Sequence, residues 1–190
     1  QYIEELKPGG MKLGLDRMRR GLELLGHPER RLRVVHVAGT NGKGSTARMV
    51  QAIATAAGYA TGLFSSPAVI GLRETITVDG EAIPEAAFAG WVDRLRALQS
   101  DMGEAGGLSE FELTTLLALA WFAERNTDLC VIECGMGGRE DATNVFDAPL
   151  AAVITPVALD HTAWLGGTAE EIAAHKCGII KAPCGVVTAP

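Results

Sequence analysis

Residues 34–45 read Val-Val-His-Val-Ala-Gly-Thr-Asn-Gly-Lys-Gly-Ser, a β-branched run that breaks into a glycine-rich turn with one lysine and a closing hydroxyl. Glycine lets backbone N–H groups approach anionic oxygens closely, so such a turn makes a phosphate cradle. Lys43 adds a cation, and a helix beginning near Ser45 would point its positive dipole end at the same place. Gly39, Thr40, Asn41, Gly42, Lys43, Gly44 and Ser45 are therefore the candidate contacts for the phosphates of a nucleoside triphosphate. The common P-loop has four residues between its first glycine and Gly-Lys-Ser/Thr. Here only Thr40 and Asn41 separate Gly39 from Gly42, and Gly44 intervenes between Lys43 and Ser45. A ligand-free glycine turn is the plain alternative, but it offers little purpose for a lysine between two glycines.

Further reactive groups follow apolar runs. Ser65-Ser66 follows Thr61–Phe64, Glu133 follows Leu129-Cys130-Val131-Ile132, and Asp160-His161 follows Thr155-Pro156. If those runs are parallel strands, a hydroxyl, a carboxylate and an imidazole converge at the carboxyl edge of one sheet, where α/β proteins bind ligands. Hard donors of this kind suit Mg²⁺, which takes few protein groups and completes its shell with phosphates and water. Taken singly, Glu133 could be a mere strand-end carboxylate, His161 a loop brace, and Lys176 part of a solvated helix face. Gly135-x-Gly137-Gly138 also follows a strand, but position 140 is Glu, so the dinucleotide fingerprint fails.

These groups need a scaffold, and the periodicity supplies one. Leu15, Met18, Leu22 and Leu25 recur at helical spacing before Gly26. A strand is expected near 33–37, a helix over 45–57, a strand over Thr61–Phe64, and a hairpin over 73–83 around Asp79-Gly80. A helix from Pro84 to Gln99 follows. Ser109-x-x-Glu112 and Thr168-x-x-Glu171 read as capping boxes. The first opens a helix ending near Arg125 and the second one ending near Gly178. Leu129–Ile132, Ala152–Thr155 and Val186–Thr188 complete the strands. Alternating helices and apolar strands predict an α/β fold, a mostly parallel sheet with helices on both faces.

At 190 residues, 47% hydrophobic and 21% charged, the chain suits a soluble globular domain. A net charge of −6 argues against a general nucleic-acid binder. No apolar stretch approaches the ~18 residues of a membrane span, and no secretory signal is visible. Cys130, Cys134, Cys177 and Cys184 form no Cys-x-x-Cys pair. Cys130 and Cys134, on one strand, would lie ~13 Å apart. They read as small apolar residues in a reducing, cytoplasmic setting.

Several motifs together carry a resemblance: Leu-Gly-Leu-Asp-Arg at 13–17, Val-Ala-Gly-Thr-Asn-Gly-Lys-Gly-Ser at 37–45, Ser-Ser-Pro at 65–67 and Glu-Phe-Glu at 110–112. To these add Gly-Gly-Arg-x-Asp-Ala-Thr-Asn at 137–144, Ala-Leu-Asp-His at 158–161 and His-Lys-x-Gly-Ile-Ile-Lys at 175–181. In order and spacing the chain resembles the folylpolyglutamate synthase / dihydrofolate synthase family, relatives of the Mur ligases. The resemblance implies a P-loop NTPase-like, Mur-ligase-type central domain. It also implies an ATP-dependent amide ligase, in which a folate or dihydropteroate carboxylate becomes an acyl phosphate that L-glutamate attacks. By this likeness Lys43, Glu133, His161 and Lys176 are catalytic. Ser66, Glu133, His161 and a carbamylated Lys176 hold Mg²⁺, two ions in all. Ser109, Glu110, Phe111, Glu112, Glu140, Asp141, Ala142 and the stretch Gly10 to Leu13 lie along the pterin-bearing substrate. The family usually has His-Leu after Ser-Pro and Glu-Arg-Ile later; here Ala68-Val69 and Glu74-Thr75-Ile76 stand instead. Family members are more than twice as long. Residues 1–190 therefore correspond to an incomplete N-terminal ATP-binding ligase domain without the C-terminal glutamate-ligase domain, expected to be monomeric and to turn over little by itself. The alternatives are a Mur-type ligase for a cell-wall precursor and a non-catalytic nucleotide-binding module.

Overall fold

The structure is a computed structural model describing residues 6, 14–103 and 106–189. The expected substrate stretch Gly10 to Leu13 lies outside the described residues. Helix α1 (Asp16–Leu24) leads to β1 (Val34–Ala38), α2 (Lys43–Ala56), β2 (Thr61–Phe64), β3 (Ile76–Val78) and β4 (Glu81–Ala82). Then come α3 (Glu85–Gln99), α4 (Glu110–Glu124), β5 (Leu129–Glu133), β6 (Ala151–Ile154), α5 (Thr162–Leu165), α6 (Ala169–Lys176) and β7 (Gly185–Thr188).

The seven strands form one sheet in the order β4-β3-β2-β5-β1-β6-β7. Strands β2, β5, β1, β6 and β7 run parallel, whereas β3 and β4 form an antiparallel hairpin at one edge. That hairpin turns at Asp79 and Gly80, both at positive φ (53° and 85°), as a two-residue turn between right-twisted strands requires. Strand β1 lies between β5 and β6. Chain leaving β1 crosses to one side while β6 pairs on the other, so a crevice opens at the carboxyl end of β1.

Helix α4 is apolar on every side and therefore must be central. Leu113, Leu116, Leu117, Leu119 and Phe122 pack with Phe64, Ile76, Leu95 and Ile132 in the main core. Each such side chain contributes roughly 1.5–3 kcal/mol by leaving water. On the opposite face Ala47 of α2 meets Val37, Leu63 and Val131. Helices cover both faces of the central strands as expected, but the edge strands are open: both residues of β4 are exposed. Strand β7 is exposed along its whole length, so the second edge of the sheet is uncovered among the described residues.

Helix α2 begins at Lys43, two residues before its expected start. Gly42 adopts the left-handed conformation at φ 81°, ending the loop sharply and drawing Lys43 and Gly44 into the first helical turn.

Candidate phosphate and substrate site

Strand β1 delivers the loop. Its register sets Val37 beside Glu133 on β5 and Ala38 beside Ile154 on β6. Gly39 leaves the sheet at φ 151°, and a Cβ there would fall 1.8 Å from Thr155 Oγ1. Only glycine lets the chain turn so close to β6. The Thr40 and Asn41 amides both donate to the Pro156 carbonyl, at 3.0 and 3.4 Å. The Thr40 hydroxyl donates to Ala158 O at 3.0 Å and accepts from Ala158 N at 3.1 Å. Thr40 and Asn41 thus brace the loop against the segment after β6.

The helix end is different. α4 and α6 each carry a complete capping box, Ser109 with Glu112 and Thr168 with Glu171, as the spacing predicts. α2 has no side-chain cap. The first N–H groups of a helix lack helical partners, which makes such an end a ready anion site, and Lys43 at this one lines a cavity beside the loop. Lys43 is held back over the loop by its ammonium, which donates to Thr40 O at 3.2 Å.

Glu133 ends β5 beneath this helix end and is 3% exposed. Burial pushes its carboxyl above the usual carboxylate range, against the opposing pull of the Ser66 amide and of Lys43 and Arg48. The Ser66 amide donates to Oε2 at 3.3 Å, which leaves most of the carboxylate's acceptor capacity unused. The extra glycine of the loop sits against Glu133: a Cβ on Gly44 would come within a tight 3.3 Å of Glu133 Oε2 and into ordinary contact with the Arg48 guanidinium at 3.5 Å, so the helix end packs directly on the carboxylate. Arg48 has no signature in the spacing, yet it donates to Ser65 Oγ at 3.5 Å beside Glu133.

Lys176 is 2% exposed, not a solvated helix residue. Its Nζ donates to Gly39 O at 2.7 Å, behind the phosphate loop. Burial lowers its pKa first, and the charge of Lys43 lowers it further. Two glycines bring α6 this close. A Cβ at Gly138 would meet the His175 and Lys176 carbonyls at 2.8 Å, and one at Gly178 would meet Arg139 at 2.5 Å. His161 has a positive φ of 48° at the head of α5 and is 49% exposed, with Asp160 Oδ2 3.6 Å from Nε2. No three His, Cys, Asp or Glu side chains gather into a metal cage among the described residues. Glu133 is suited to a cation nonetheless, since burial strains its charge and its acceptors are open. Mg²⁺ there would draw the rest of its shell from phosphate and water.

A cavity of about 870 Å³ opens beside the loop. Lys43, Ser66 and His161 reach it from the phosphate side. Ser109, Glu110, Phe111 and Glu112 line one wall and Glu140, Asp141 and Ala142 another, so residues expected along the substrate do come together. Phe64 and Phe111 stack obliquely in its apolar end, centroids 5.8 Å apart. Two of the carboxylates are occupied by the scaffold. Glu112 binds the Ser109 amide at 2.8 Å and the Arg17 guanidinium at 2.8 Å. Asp141 accepts from Met136 N, Thr143 N and Thr143 Oγ1 at 2.8, 2.9 and 2.5 Å, and burial raises its pKa despite these bonds. Both shape the wall by folding their own segments.

Behind that wall, His36 on β1 bonds Thr143 Oγ1 at 2.8 Å and approaches Cys134 Sγ at 3.2 Å. Burial, with the charge of Lys181, holds the imidazole pKa down to about 3, so it is neutral. Lys181 donates to the Asn144 and Phe146 carbonyls and ties the wall to the chain after α6. Nothing in local spacing announces these contacts, which join residues far apart in sequence. Among the described residues no helix is long and apolar enough to cross a membrane.

Comparison with known proteins agrees with this geometry. Residues 37–185 match the Mur ligase middle domain. The chain is 44% identical over 183 residues to the dihydrofolate synthase/folylpolyglutamate synthase of Bacillus subtilis, covering 95% of this chain and 42% of that protein. Escherichia coli FolC in complex with DHPP and ADP superposes with a TM-score of 0.90 at 38% identity, over 98% of this chain and 44% of that one. A complex of FPGS with AMPPCP and folate gives 0.86 at 43% identity, over 90% and 42%. The chain spans less than half the length of these relatives. The match runs from β1 through the phosphate loop, the Glu133 strand and Lys176 to the start of β7, and by it the chain belongs to the family of the Mur ligase middle domain.

Proposed function

We propose that this chain is the nucleotide- and pterin-binding part of an ATP-dependent carboxylate–amine ligase that joins L-glutamate to dihydropteroate, reduced folates or both. One observation carries the reading. The uncapped start of α2, with Lys43, opens beside buried Glu133 and onto a cavity that has an apolar aromatic end. The relatives named above, with their nucleotide and folate or DHPP complexes, support it.

In this reading Lys43 and the α2 amides receive the β- and γ-phosphates. Bound at Glu133, with Ser66 and His161 nearby, Mg²⁺ would neutralise phosphate charge. The pterin ring enters between Phe111 and the wall at Ala142, which directs its carboxylate toward the γ-phosphate. That carboxylate displaces ADP to give an acyl phosphate, and the glutamate amine then displaces phosphate to give the amide. Catalysis is mostly positioning and charge neutralisation. Lys176 steadies the loop through Gly39 O. Burial and the Lys43 charge lower its pKa, which raises the share of the neutral amine, the form that takes up CO₂; carbamylation there and a second Mg²⁺ are part of the same proposal.

The test uses the full-length gene product. Phosphate release from ATP should require both L-glutamate and a pterin acid. Lys43→Ala should lower it by about 10²–10³, the usual cost of removing a charge-stabilising donor. Glu133→Gln should lower it similarly and weaken its Mg²⁺ dependence. Phosphate release indifferent to the pterin acid would refute the substrate reading; unchanged turnover in Lys43→Ala would refute the role of the loop.

A further inference from the structure

Between Ser66 and Thr75 the chain forms the outer rim of the cavity. Val69 and Ile70 line it, yet they are 86% and 94% exposed, two aliphatic side chains with almost no partner. Their backbone is held in an unusual way. The Val69 and Ile70 amides both donate to one carboxylate oxygen, Glu74 Oε1, the second at 2.8 Å.

Glu74 itself stands on a rigid base. It belongs to the 3₁₀ turn Leu72–Thr75, where Thr75 Oγ1 donates to Leu72 O at 2.6 Å and the Glu74 amide donates to Gly71 O at 3.1 Å. Arg73 anchors that turn to Ile83 O at 2.9 Å, and Thr75 O accepts from Ser65 N at 3.0 Å. A fixed carboxylate thus reaches back and gathers the tip of a loop that has few other bonds. The amides of Ile70 and Val69 in turn hold the Glu74 carboxyl below its ordinary range, so it is charged at neutral pH.

We propose that Glu74 is a positioning residue for substrate selection, its carboxylate holding Val69 and Ile70 on the cavity rim where they close over the flat ring of the pterin acid. With the ring seated between Phe111 and the wall at Ala142, this aliphatic tip would cover its outer side. This inference rests on the pterin reading above. It also gives a role to the rim at which the chain departs from the family pattern, at Ala68-Val69 and Thr75.

The experiment compares full-length wild type, Glu74→Ala, Glu74→Gln and the double variant Val69→Ala/Ile70→Ala. In Glu74→Ala the freed tip must be ordered at the expense of binding, and in the double variant the clasp persists but the aliphatic contact with the ring is lost. KM for dihydropteroate should then rise about ten-fold or more in Glu74→Ala and in the double variant, while KM for ATP and kcat stay within about two-fold. Glu74→Gln keeps an acceptor oxygen and should recover much of the loss. Hydrogen exchange of residues 68–71 supplies a readout independent of substrate, and Glu74→Ala should speed it. An unchanged KM for dihydropteroate in Glu74→Ala, or equal rises for both substrates, overturns the proposal. Equal exchange in wild type and Glu74→Ala overturns the clasp itself. Wild type that uses ATP but no pterin acid overturns the ring contact together with the pterin reading, and exchange still reports on the clasp separately.

Discussion

Gly39→Ala is the sharpest test of how the phosphate loop is built. At φ 151° the position already disfavours a side chain, and the new Cβ would lie 1.8 Å from Thr155 Oγ1, 2.9 Å from Thr155 Cβ and 3.0 Å from its carbonyl. Thr155 has little room to yield. Its amide donates to Ala38 O at 2.8 Å and its hydroxyl to the same oxygen at 3.3 Å. The loop must therefore move instead, and it takes the Gly39 carbonyl away from Lys176. Overpacking costs about 1–3 kcal/mol and unfavourable backbone about the same, so about 2–6 kcal/mol in total. Charged to the binding conformation alone, that lowers nucleotide affinity by about thirty-fold to 10⁴-fold. Titration calorimetry with a non-hydrolysable ATP analogue and Mg²⁺ would measure it. Thr155→Ala removes the nearest atom but leaves Cβ and the carbonyl, so the double variant should recover only part of the lost affinity. Wild-type affinity in Gly39→Ala, or no recovery on adding Thr155→Ala, would refute the reasoning.

Lys176→Met keeps the length of the side chain but strands the buried Gly39 carbonyl, at about 1–3 kcal/mol; the melting temperature should fall a few degrees while turnover collapses, and retained turnover would remove Lys176 from the site. His36 is neutral when folded, with its pKa lowered to about 3, whereas the unfolded imidazole titrates near 6.5. The unfolded chain thus binds the extra proton between those values, and stability falls as pH drops below about 6.5, by up to about 1.4 kcal/mol per unit. His36→Gln should flatten that acid slope in denaturant titrations at pH 5 and 7, and equal slopes would contradict the assignment. Gly62→Ala would set a Cβ 2.8–3.0 Å from the Phe122 ring; about 1–3 kcal/mol of destabilisation should follow, read as a lower unfolding midpoint with little change in KM for ATP.

Local chemistry made much of this protein legible from sequence. The capping boxes at Ser109 and Thr168, the Asp79-Gly80 hairpin, the apolar strands and the glycine-rich loop are all signals within a few residues, because caps, turns and pleats are closed by near neighbours. Alternation of helix and strand was enough for the sheet type, and the strand ends were enough to nominate Lys43, Ser66, Glu133 and His161 for one edge. Tertiary structure decided what those groups experience. Whether Glu133 was a solvated strand end or a buried acid depended on α2 packing over it at Gly44. Whether Lys176 faced water depended on Gly138 and Gly178 admitting α6 against the wall. Glu112 looks like a ligand in its motif, but Arg17 claims its oxygens across the fold, whereas Asp141 is claimed within its own loop by Met136 and Thr143. Spacing constrains only what lies along one element. Burial, pKa and hydrogen-bond partners arise where elements meet, and those meetings are made by residues 30 to more than 130 positions apart, as with Arg139 and Ala174 or Lys176 and Gly39.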